Sequence, residues 1–186
     1  MRIGLLGGSF DPPHVGHLLT ASDAVEALGL DRLVLVPAAN QPLKRGQHAE
    51  AMHRLAMVRL LAGADPRMVV DPIETDRGGL SYTVDTLAAY AARYPDAERF
   101  FLVGADVVES FPRWREPQRI QALATVAVLE RGGDAVPLHE GMVAVATRRI
   151  DISSTEIRAR VRAGLPIRGF VTDAVAEYIV AHRLYR

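Results

Sequence analysis

The sequence has no cysteine, no excess of either charge sign and no long apolar run. The lack of cysteine excludes disulfides, thiolate catalysis and zinc–thiolate sites, and it fits a reducing compartment. Because 22 Lys and Arg balance 22 Asp and Glu, no overall field attracts nucleic acid or an anionic membrane. No segment approaches the roughly 18 to 20 apolar residues that span a bilayer, and MRIGLLGG is too short for a secretory signal. We therefore expect a cytoplasmic protein that binds neither nucleic acid nor membrane.

Several motifs of nucleotide and metal chemistry are missing as well. The sequence contains neither G-x-G-x-x-G nor G-K-[ST], which disfavours a Rossmann dinucleotide site and a Walker-type kinase. The metalloprotease motif H-E-x-x-H is also absent, and no other spacing places three metal ligands together. The sequence therefore predicts no metal site formed by the protein itself.

Short apolar runs alternate with stretches of helical period along all 186 residues, a length that suits one well-filled core. The runs are continuous, which is typical of strands buried on both faces of a parallel sheet. Strands are expected at 2–7, 32–38, 67–73, 99–105, 125–131 and 142–147. Helices are expected at 14–29, 49–63, 83–94, 117–123, 154–163 and 172–182. This order predicts an α/β fold in a single domain over 1–186: a doubly wound, mostly parallel sheet with helices on both faces and a short C-terminal helical segment.

The segment GGSFDPPHVGH follows the first predicted strand, at the edge where open parallel sheets bind ligands. Its glycine pair permits a tight turn, and Asp11 followed by two prolines predicts a helix cap and first turn. His14 and His17 are three residues apart, so both rings are expected on one face of the helix start. Free amides and the helix dipole favour a phosphate there. The structural alternative is a glycine turn with two capping histidines.

A second helix start lies in DISSTEIRARV. Ser153 is the predicted cap, and a glutamate three residues later completes the spacing of a capping box. Ser154, Thr155 and Arg158 then offer hydroxyls, amides and a guanidinium to a phosphate group. Two helix starts that favour phosphate predict a polyphosphate ligand.

These two segments resemble those of the nucleotidylyltransferase superfamily. The superfamily signatures are (T/H)-x-G-H after the first strand and I-S-S/T-x-x-R at a helix start, and this chain has the H-x-G-H form. Within the superfamily, GGLSYTVDTL (78–87), FLVGADVVESFPRW (101–114) and VAEYIVAHRLY (175–185) are similar to bacterial nicotinate mononucleotide adenylyltransferases. The match runs in order from Arg2 to Tyr185 and implies a Rossmann-like fold.

The resemblance implies a nucleotidyltransferase of NAD and pyridine nucleotide biosynthesis. ATP and nicotinate mononucleotide would give deamido-NAD and pyrophosphate, with Mg²⁺ arriving on ATP. The substrate phosphate is itself the nucleophile, so positioning and charge stabilisation suffice. The alternatives are a phosphopantetheine or nicotinamide mononucleotide adenylyltransferase, and a non-catalytic nucleotide-binding module of the same fold. The partners expected are these small molecules, and the sequence leaves a homo-oligomer open.

The family motifs also imply roles for individual residues. His17 would stabilise charge on the α-phosphate, His14 would hold the phosphate region, and Lys44 and Arg158 would hold the leaving pyrophosphate. Lys44 lies in the irregular loop 37–48, where a solvated surface lysine is the alternative. The residues expected to contact ATP are Gly8, Ser9, Phe10, His14, His17, Gly104, Asp106, Ile152, Ser153, Ser154, Thr155 and Arg158.

The remaining residues concern the mononucleotide. The amides of Ser81, Tyr82 and Thr83 precede a helix and suit the nicotinate carboxylate, while a capped loop is the alternative. The family match implies that Trp114 stacks on the pyridine ring, whereas a lone tryptophan is otherwise more often a core residue. Asp106 ends a predicted strand, where a carboxylate suits ribose hydroxyls or caps a helix. Two further substrate contacts are expected, from Asn40 and Arg131.

Overall fold

The computed structural model describes residues 1–41, 47–63, 65–132 and 135–186, apart from the side chain of Arg131. Its strands are β1 (Arg2–Gly8), β2 (Arg32–Pro37), β3 (Met68–Val70), β4 (Glu98–Gly104), β5 (Thr125–Arg131) and β6 (Met142–Thr147). They form one sheet in the order β3-β2-β1-β4-β5-β6, and every neighbouring pair is parallel. This is the strand order of a Rossmann-type sheet, so the predicted α/β class is confirmed.

The helices cover both faces of this sheet, as predicted. They are α1 (Val15–Ala27), α2 (Ala51–Ala62), α3 (Ile73–Arg77), α4 (Thr83–Arg93), α5 (Pro117–Leu123), α6 (Ser154–Arg162) and α7 (Asp173–Ala181), with a 3-10 helix at Ala105–Arg113. Among the described residues, none of these helices combines the length and apolar character that crossing a membrane requires.

The third strand is shorter than the predicted 67–73. The chain turns after Val70 because the Asp71 carboxylate accepts the amide hydrogen of Ile73 (3.0 Å), where α3 begins. Neither α3 nor the 3-10 helix was expected, since five residues carry no readable period and the 3-10 segment contains Pro112.

Alternate strand residues feed two cores, one on each face of the sheet. Ile3 and Leu5 of β1 pack with α4 and α5 on one face. Leu33 and Leu35 of β2 pack with α1 and α2 on the other face. A third cluster packs α6 and α7 against α2, through residues that include Ile157. The C-terminal helices therefore lie beside the loop that follows β1.

Candidate active site

The site is organised by the carboxyl end of β1, which pairs with β2 on one side and with β4 on the other. The strand order reverses at this point, and such a switch point opens a crevice between neighbouring loops. The segments that follow these three strands carry about half of the expected site residues. Gly8 ends β1, and its carbonyl accepts the amide hydrogen of Ala38 after β2 (2.9 Å). The loops after β1 and β2 are thus joined directly.

The first helix begins at Val15, one residue after the predicted start at 14, but its cap is not the predicted residue. Asp11 was expected as its cap, but His14 is the N-cap and Val15 is the first helical residue. A residue that precedes proline disfavours the helical conformation, and both Asp11 and Pro12 precede prolines. The prediction that Asp11 caps α1 is therefore wrong.

The buried carboxylate of Asp11 has a different task. It accepts the amide hydrogens of His48 (2.6 Å) and Ala49 (3.1 Å) and the hydroxyl hydrogen of Tyr185 (2.8 Å). Burial raises the pKa of Tyr185, and the neighbouring Asp11 carboxylate raises it further, so the phenol remains protonated as the donor. Asp11 therefore ties the loop after β1 to the start of α2 and to the C-terminus.

The two histidines lie side by side, as predicted. Their ring centroids are 3.7 Å apart, and the His14 amide donates to Nδ1 of His17 (3.2 Å). The buried Phe10 ring also contacts His17, edge-on, with ring centroids 5.1 Å apart. Because Nδ1 of His17 accepts, the proton of its neutral ring resides on Nε2, which is then a hydrogen-bond donor. The helix start offers fewer amides than expected, since the Val15 amide donates to the carbonyl of Phe170 (2.9 Å).

The second predicted helix start lies against the same loop. Ser153 caps α6 by accepting the Glu156 amide hydrogen (3.1 Å), as predicted. The Ser154 hydroxyl donates to the carbonyl of Pro12 (2.8 Å). Ile152, just before the cap, packs on the C-terminal cluster. We call residues 9–17, which run from the end of β1 into the first turn of α1, the histidine loop. This loop and α6, more than 140 residues apart in sequence, are thus in direct contact.

Arg158 strengthens this junction. Its NH1 donates to the carbonyl of Asp11 (2.7 Å), and its NH2 donates to the Thr155 hydroxyl (3.1 Å). Its Nε is buried and has no hydrogen-bond partner among the described residues. A guanidinium is therefore held beside the loop that carries the two histidines.

The end of β4 and the start of the following 3-10 helix contribute the segment GAD, residues 104–106. Gly104 ends β4, and Asp106 is exposed in the first turn of the 3-10 helix. A Cβ placed on Gly104 would lie 2.4 Å from Oδ1 of Asp106, so only glycine allows the carboxylate this position. Because β4 is the neighbour of β1, Asp106 and the histidine loop share one edge of the sheet.

The expected mononucleotide residues form a second group. The Ser81 amide donates to the carbonyl of Asn40 (2.9 Å), and the Ser81 hydroxyl accepts the amide hydrogen of Ala39 (2.9 Å). Tyr82 is the N-cap of α4 and Thr83 is its first residue. The loop after β2 and the start of α4 are therefore held together.

The lone tryptophan lies near this group. Trp114 is partly buried, with Phe101 and Phe111 at ring-centroid distances of 6.0 and 5.6 Å. The guanidinium of the next residue, Arg115, lies 4.7 Å from the centroid of the Tyr82 ring. The FPRW segment and the start of α4 thus adjoin.

Comparisons with known proteins agree with this geometry. Residues 5–160 match the model of the cytidylyltransferase-like family. The chain belongs to this family. A protein of Gemmatimonas aurantiaca named probable nicotinate-nucleotide adenylyltransferase is 52% identical, with 100% of this chain and 93% of that protein covered. A protein of the same name from Thermus thermophilus is 46% identical, with both chains covered completely. The chain therefore stands among the nicotinate-nucleotide adenylyltransferases of the cytidylyltransferase-like family.

Solved structures extend the likeness to the fold. The Plasmodium falciparum nicotinic acid mononucleotide adenylyltransferase complexed with NaAD superposes with a TM-score of 0.81 over 99% of this chain and 97% of that chain. Its sequence identity is 19%, so this match concerns the fold alone.

Two residues expected from the family motifs are not placed by the structure. Lys44 lies outside the described residues. The backbone of Arg131 ends β5, but its side chain lies outside the described part of the chain. Among the described residues, no group of three His, Cys, Asp or Glu side chains is arranged to hold a metal ion.

The sequence reasoning missed Arg54, a fully buried cation on α2 with 0% exposure. Its guanidinium donates to the carbonyls of Ser9 (2.8 Å), Ala38 (2.7 Å) and Ala39 (3.1 Å), which lie in the loops after β1 and β2. It also donates to the carbonyl of Ala49 and to the side chain of Gln47. Burial lowers the pKa of Arg54, while the nearby Asp11 carboxylate acts in the opposite direction. Arg54 thus links the loop after β1 to the loop after β2 through hydrogen bonds to their backbone carbonyls.

Proposed function

We propose that this protein transfers the adenylyl group of ATP to nicotinate mononucleotide, giving deamido-NAD and pyrophosphate. The observation that carries the proposal is the contact between the histidine loop and the start of α6. Ser154 and Arg158 bond the carbonyls of Pro12 and Asp11 there, beside His14 and His17. Two imidazoles, a guanidinium and hydroxyls around one crevice suit a chain of phosphates.

The proposed reaction needs no nucleophilic side chain. A phosphate oxygen of the mononucleotide attacks the α-phosphorus of ATP, the new P–O bond forms, and the bond to the β-phosphate oxygen breaks. The electron pair leaves with pyrophosphate. The Nε2–H of His17 is the proposed donor to the charge that develops on the α-phosphate, with His14 packed on its ring. Arg158 is the proposed contact for the leaving pyrophosphate, and the position of its guanidinium against the Asp11 carbonyl supports that role.

Lys44 remains part of the proposal through the family motif alone. Together with Arg158 it would hold the leaving group. The contacts proposed for ATP from Gly8, Ser9, Gly104 and Asp106 rest on their position at the shared edge of β1 and β4.

The mononucleotide is proposed to bind beside the start of α4. The amides of Tyr82 and Thr83 would receive the nicotinate carboxylate, because a helix start supplies donors and a favourable dipole. The Ser81 amide, which already donates to the carbonyl of Asn40, would hold this turn in place beside the substrate. The Trp114 ring would stack on the pyridine, with Asn40 nearby. Arg131 would meet the phosphate, since β5 ends at the same edge of the sheet.

The nucleotide substrate is proposed to be MgATP. Without a cluster of carboxylates in the described residues, the ion would be held by the phosphates and would keep several waters. We further propose that residues 1–186 act as one nucleotidylyltransferase domain in the cytoplasm. The single continuous sheet supports the first part and the lack of cysteine the second.

Pyrophosphate release tests this function. Purified protein is incubated with MgATP and, separately, nicotinate mononucleotide, nicotinamide mononucleotide or phosphopantetheine. Release with the nicotinate substrate is expected, with loss on chelation and return with Mg²⁺. Release only with phosphopantetheine would instead assign the alternative phosphopantetheine adenylyltransferase activity. No release with any acceptor would favour a non-catalytic nucleotide-binding module.

A further inference from the structure

The buried carboxylate of Glu74 lies outside every role given above. Glu74 is in α3, is 7% exposed and lies behind the proposed mononucleotide site. It accepts the hydroxyl hydrogen of Thr86, near the start of α4, at 2.6 Å. Burial raises the pKa of Glu74, whereas the nearby hydroxyls of Thr86 and Ser81 and the charge of Arg77 act in the opposite direction. A carboxylate is thus kept inside the protein with specific partners.

The direction of the hydrogen bond between Thr86 and Glu74 is fixed by a neighbour. The Thr86 hydroxyl accepts from NH2 of Arg77 (3.3 Å), so its own hydrogen goes to Glu74. The position therefore calls for an acceptor. An ionised carboxylate accepts at both oxygens, whereas an amide replaces one of them with an NH2 donor.

The segment between Glu74 and Ser81 needs such an anchor. Gly78 and Gly79 both have left-handed backbone conformations, with φ of +67° and +66°. Leu80, which follows them, is exposed and contributes no core packing. The turn at residues 81–83 is held to the loop after β2 by the hydrogen bonds of Ser81, and to α3 by the bond from Thr86, near the start of α4, to Glu74.

We propose that Glu74 is a positioning residue that holds the turn at residues 81–83 in the orientation that receives the acid group of the mononucleotide. It acts through the Thr86 hydroxyl, near the start of α4, and so sets the preference for the acid over the amide substrate. This inference rests on the proposed function. Oriented donors favour a carboxylate, whereas a loosened turn pairs equally well with a carboxamide.

The test compares wild type, Glu74→Gln and the control Asp76→Asn, which changes an exposed acid on the same helix. For Glu74→Gln, the KM for nicotinate mononucleotide should rise about 10-fold and the kcat/KM ratio of acid to amide should fall about as much, the effect of one lost buried hydrogen bond. The KM for ATP should stay within about twofold. Glu74→Asp keeps two acceptor oxygens and should restore part of the acid preference. Asp76→Asn should match wild type.

A double-mutant cycle separates positioning from general structural damage. If Glu74 acts through Thr86, Glu74→Gln should have little further effect on the mononucleotide KM in a Thr86→Val background. Should Glu74→Gln fail to fold, Thr86→Val against Thr75→Val provides the comparison. Thr86→Val removes one hydroxyl donor from Glu74 and should lower the acid preference. Thr75 bonds only the Pro72 carbonyl in the described contacts, and its variant should not.

The outcomes are distinguishable. Suppose that the wild-type enzyme prefers the acid and the variants either keep this preference or lose kcat/KM equally for the acid and the amide. This result would overturn the role of Glu74 and leave the proposed function intact. A wild-type protein that makes no dinucleotide, or uses acid and amide equally, would overturn the proposed function and this inference with it.

Discussion

The two imidazoles at the start of α1 hold each other in place. The backbone amide of His14 donates to Nδ1 of His17, and the ring of Phe10 packs edge-on with His17. This arrangement orients the Nε2–H bond of His17 before any ligand binds. Preorganised donors of this kind stabilise charge that develops in a transition state without reorganisation.

Replacement of His17 tests that role. His17→Ala should lower kcat by about 100-fold or more, as expected for the loss of one such donor, with an unchanged thermal midpoint within a few degrees. Steady-state rates with MgATP and nicotinate mononucleotide provide the measurement. His182→Ala, which changes a histidine on the far side of α2, is the control. Near-normal turnover by His17→Ala would remove this residue from catalysis.

Arg54 gives a prediction about stability. Arg54→Met would leave the carbonyls of Ser9, Ala38 and Ala39 without this donor, at a cost of about 3 kcal/mol or more in the free energy of unfolding. Chemical denaturation measures the difference. Arg59→Met, at an exposed position on the same helix, should be nearly neutral. Equal stabilities of the two variants would contradict the role of Arg54 as a buried joint.

The sequence held a signal for Arg54 but none for Glu74. Arg54 falls in phase with the buried positions Met57, Val58 and Leu61, so a cation occupies the apolar stripe of α2. Its partners are backbone carbonyls, which leave no mark on residue identity. Glu74 lies in a five-residue helix without a readable period, and its contacts depend on the turn at two glycines.

At the scale of elements, α1 is tied to the end of β6. The carboxylate of Asp23 in α1 accepts hydrogen bonds from Nε, NH2 and the backbone amide of Arg148, the residue after β6. The pKa of Asp23 is lowered, chiefly by the side-chain hydrogen bonds from Arg148. A carboxyl whose pKa is lower in the folded than in the unfolded state stabilises the fold above its unfolded pKa.

This linkage predicts a pH-dependent effect. Asp23→Asn should lower the thermal midpoint at pH 7 by a few degrees. The difference from wild type should shrink as the pH falls below about 3.9, the ordinary Asp pKa, and through the folded pKa. Melting curves across this range measure it. Asp151→Asn, which breaks an exposed pair with Arg149, should have little effect. A difference that does not change with pH would contradict the assignment.

Most elements followed from the sequence because their patterns are long. All six strands and the helices at α1, α2 and α4 to α7 were predicted, since continuous apolar runs and helical periods extend over six or more residues in nearly every case. The start of α1 was predicted within one residue, but its cap was wrongly assigned to Asp11. The two prolines resembled a first helical turn, whereas they exclude the preceding residues from the helix. The restriction that a proline places on the conformation of the residue before it therefore explains the wrong cap.

At the scale of the whole molecule, the fold brings together segments that the sequence keeps far apart. The histidine loop meets α6 across 142 residues, through the bond from Ser154 to Pro12. The loop after β2 meets the start of α4 through Ser81. Each segment was predicted to bind ligand, but their contacts arise from the strand order and the docking of the C-terminal helices. A local sequence pattern does not predict contacts between segments this far apart in the chain.

A competition between the two mononucleotides tests the central claim most directly. Equal concentrations of nicotinate and nicotinamide mononucleotide are incubated with MgATP and wild-type protein, and the dinucleotide products are separated by chromatography. Donors aimed at a carboxylate should yield deamido-NAD in about 10-fold excess or more over NAD, because a carboxamide leaves some of them unpaired. Equal amounts of the two products, or the absence of both, would contradict the account.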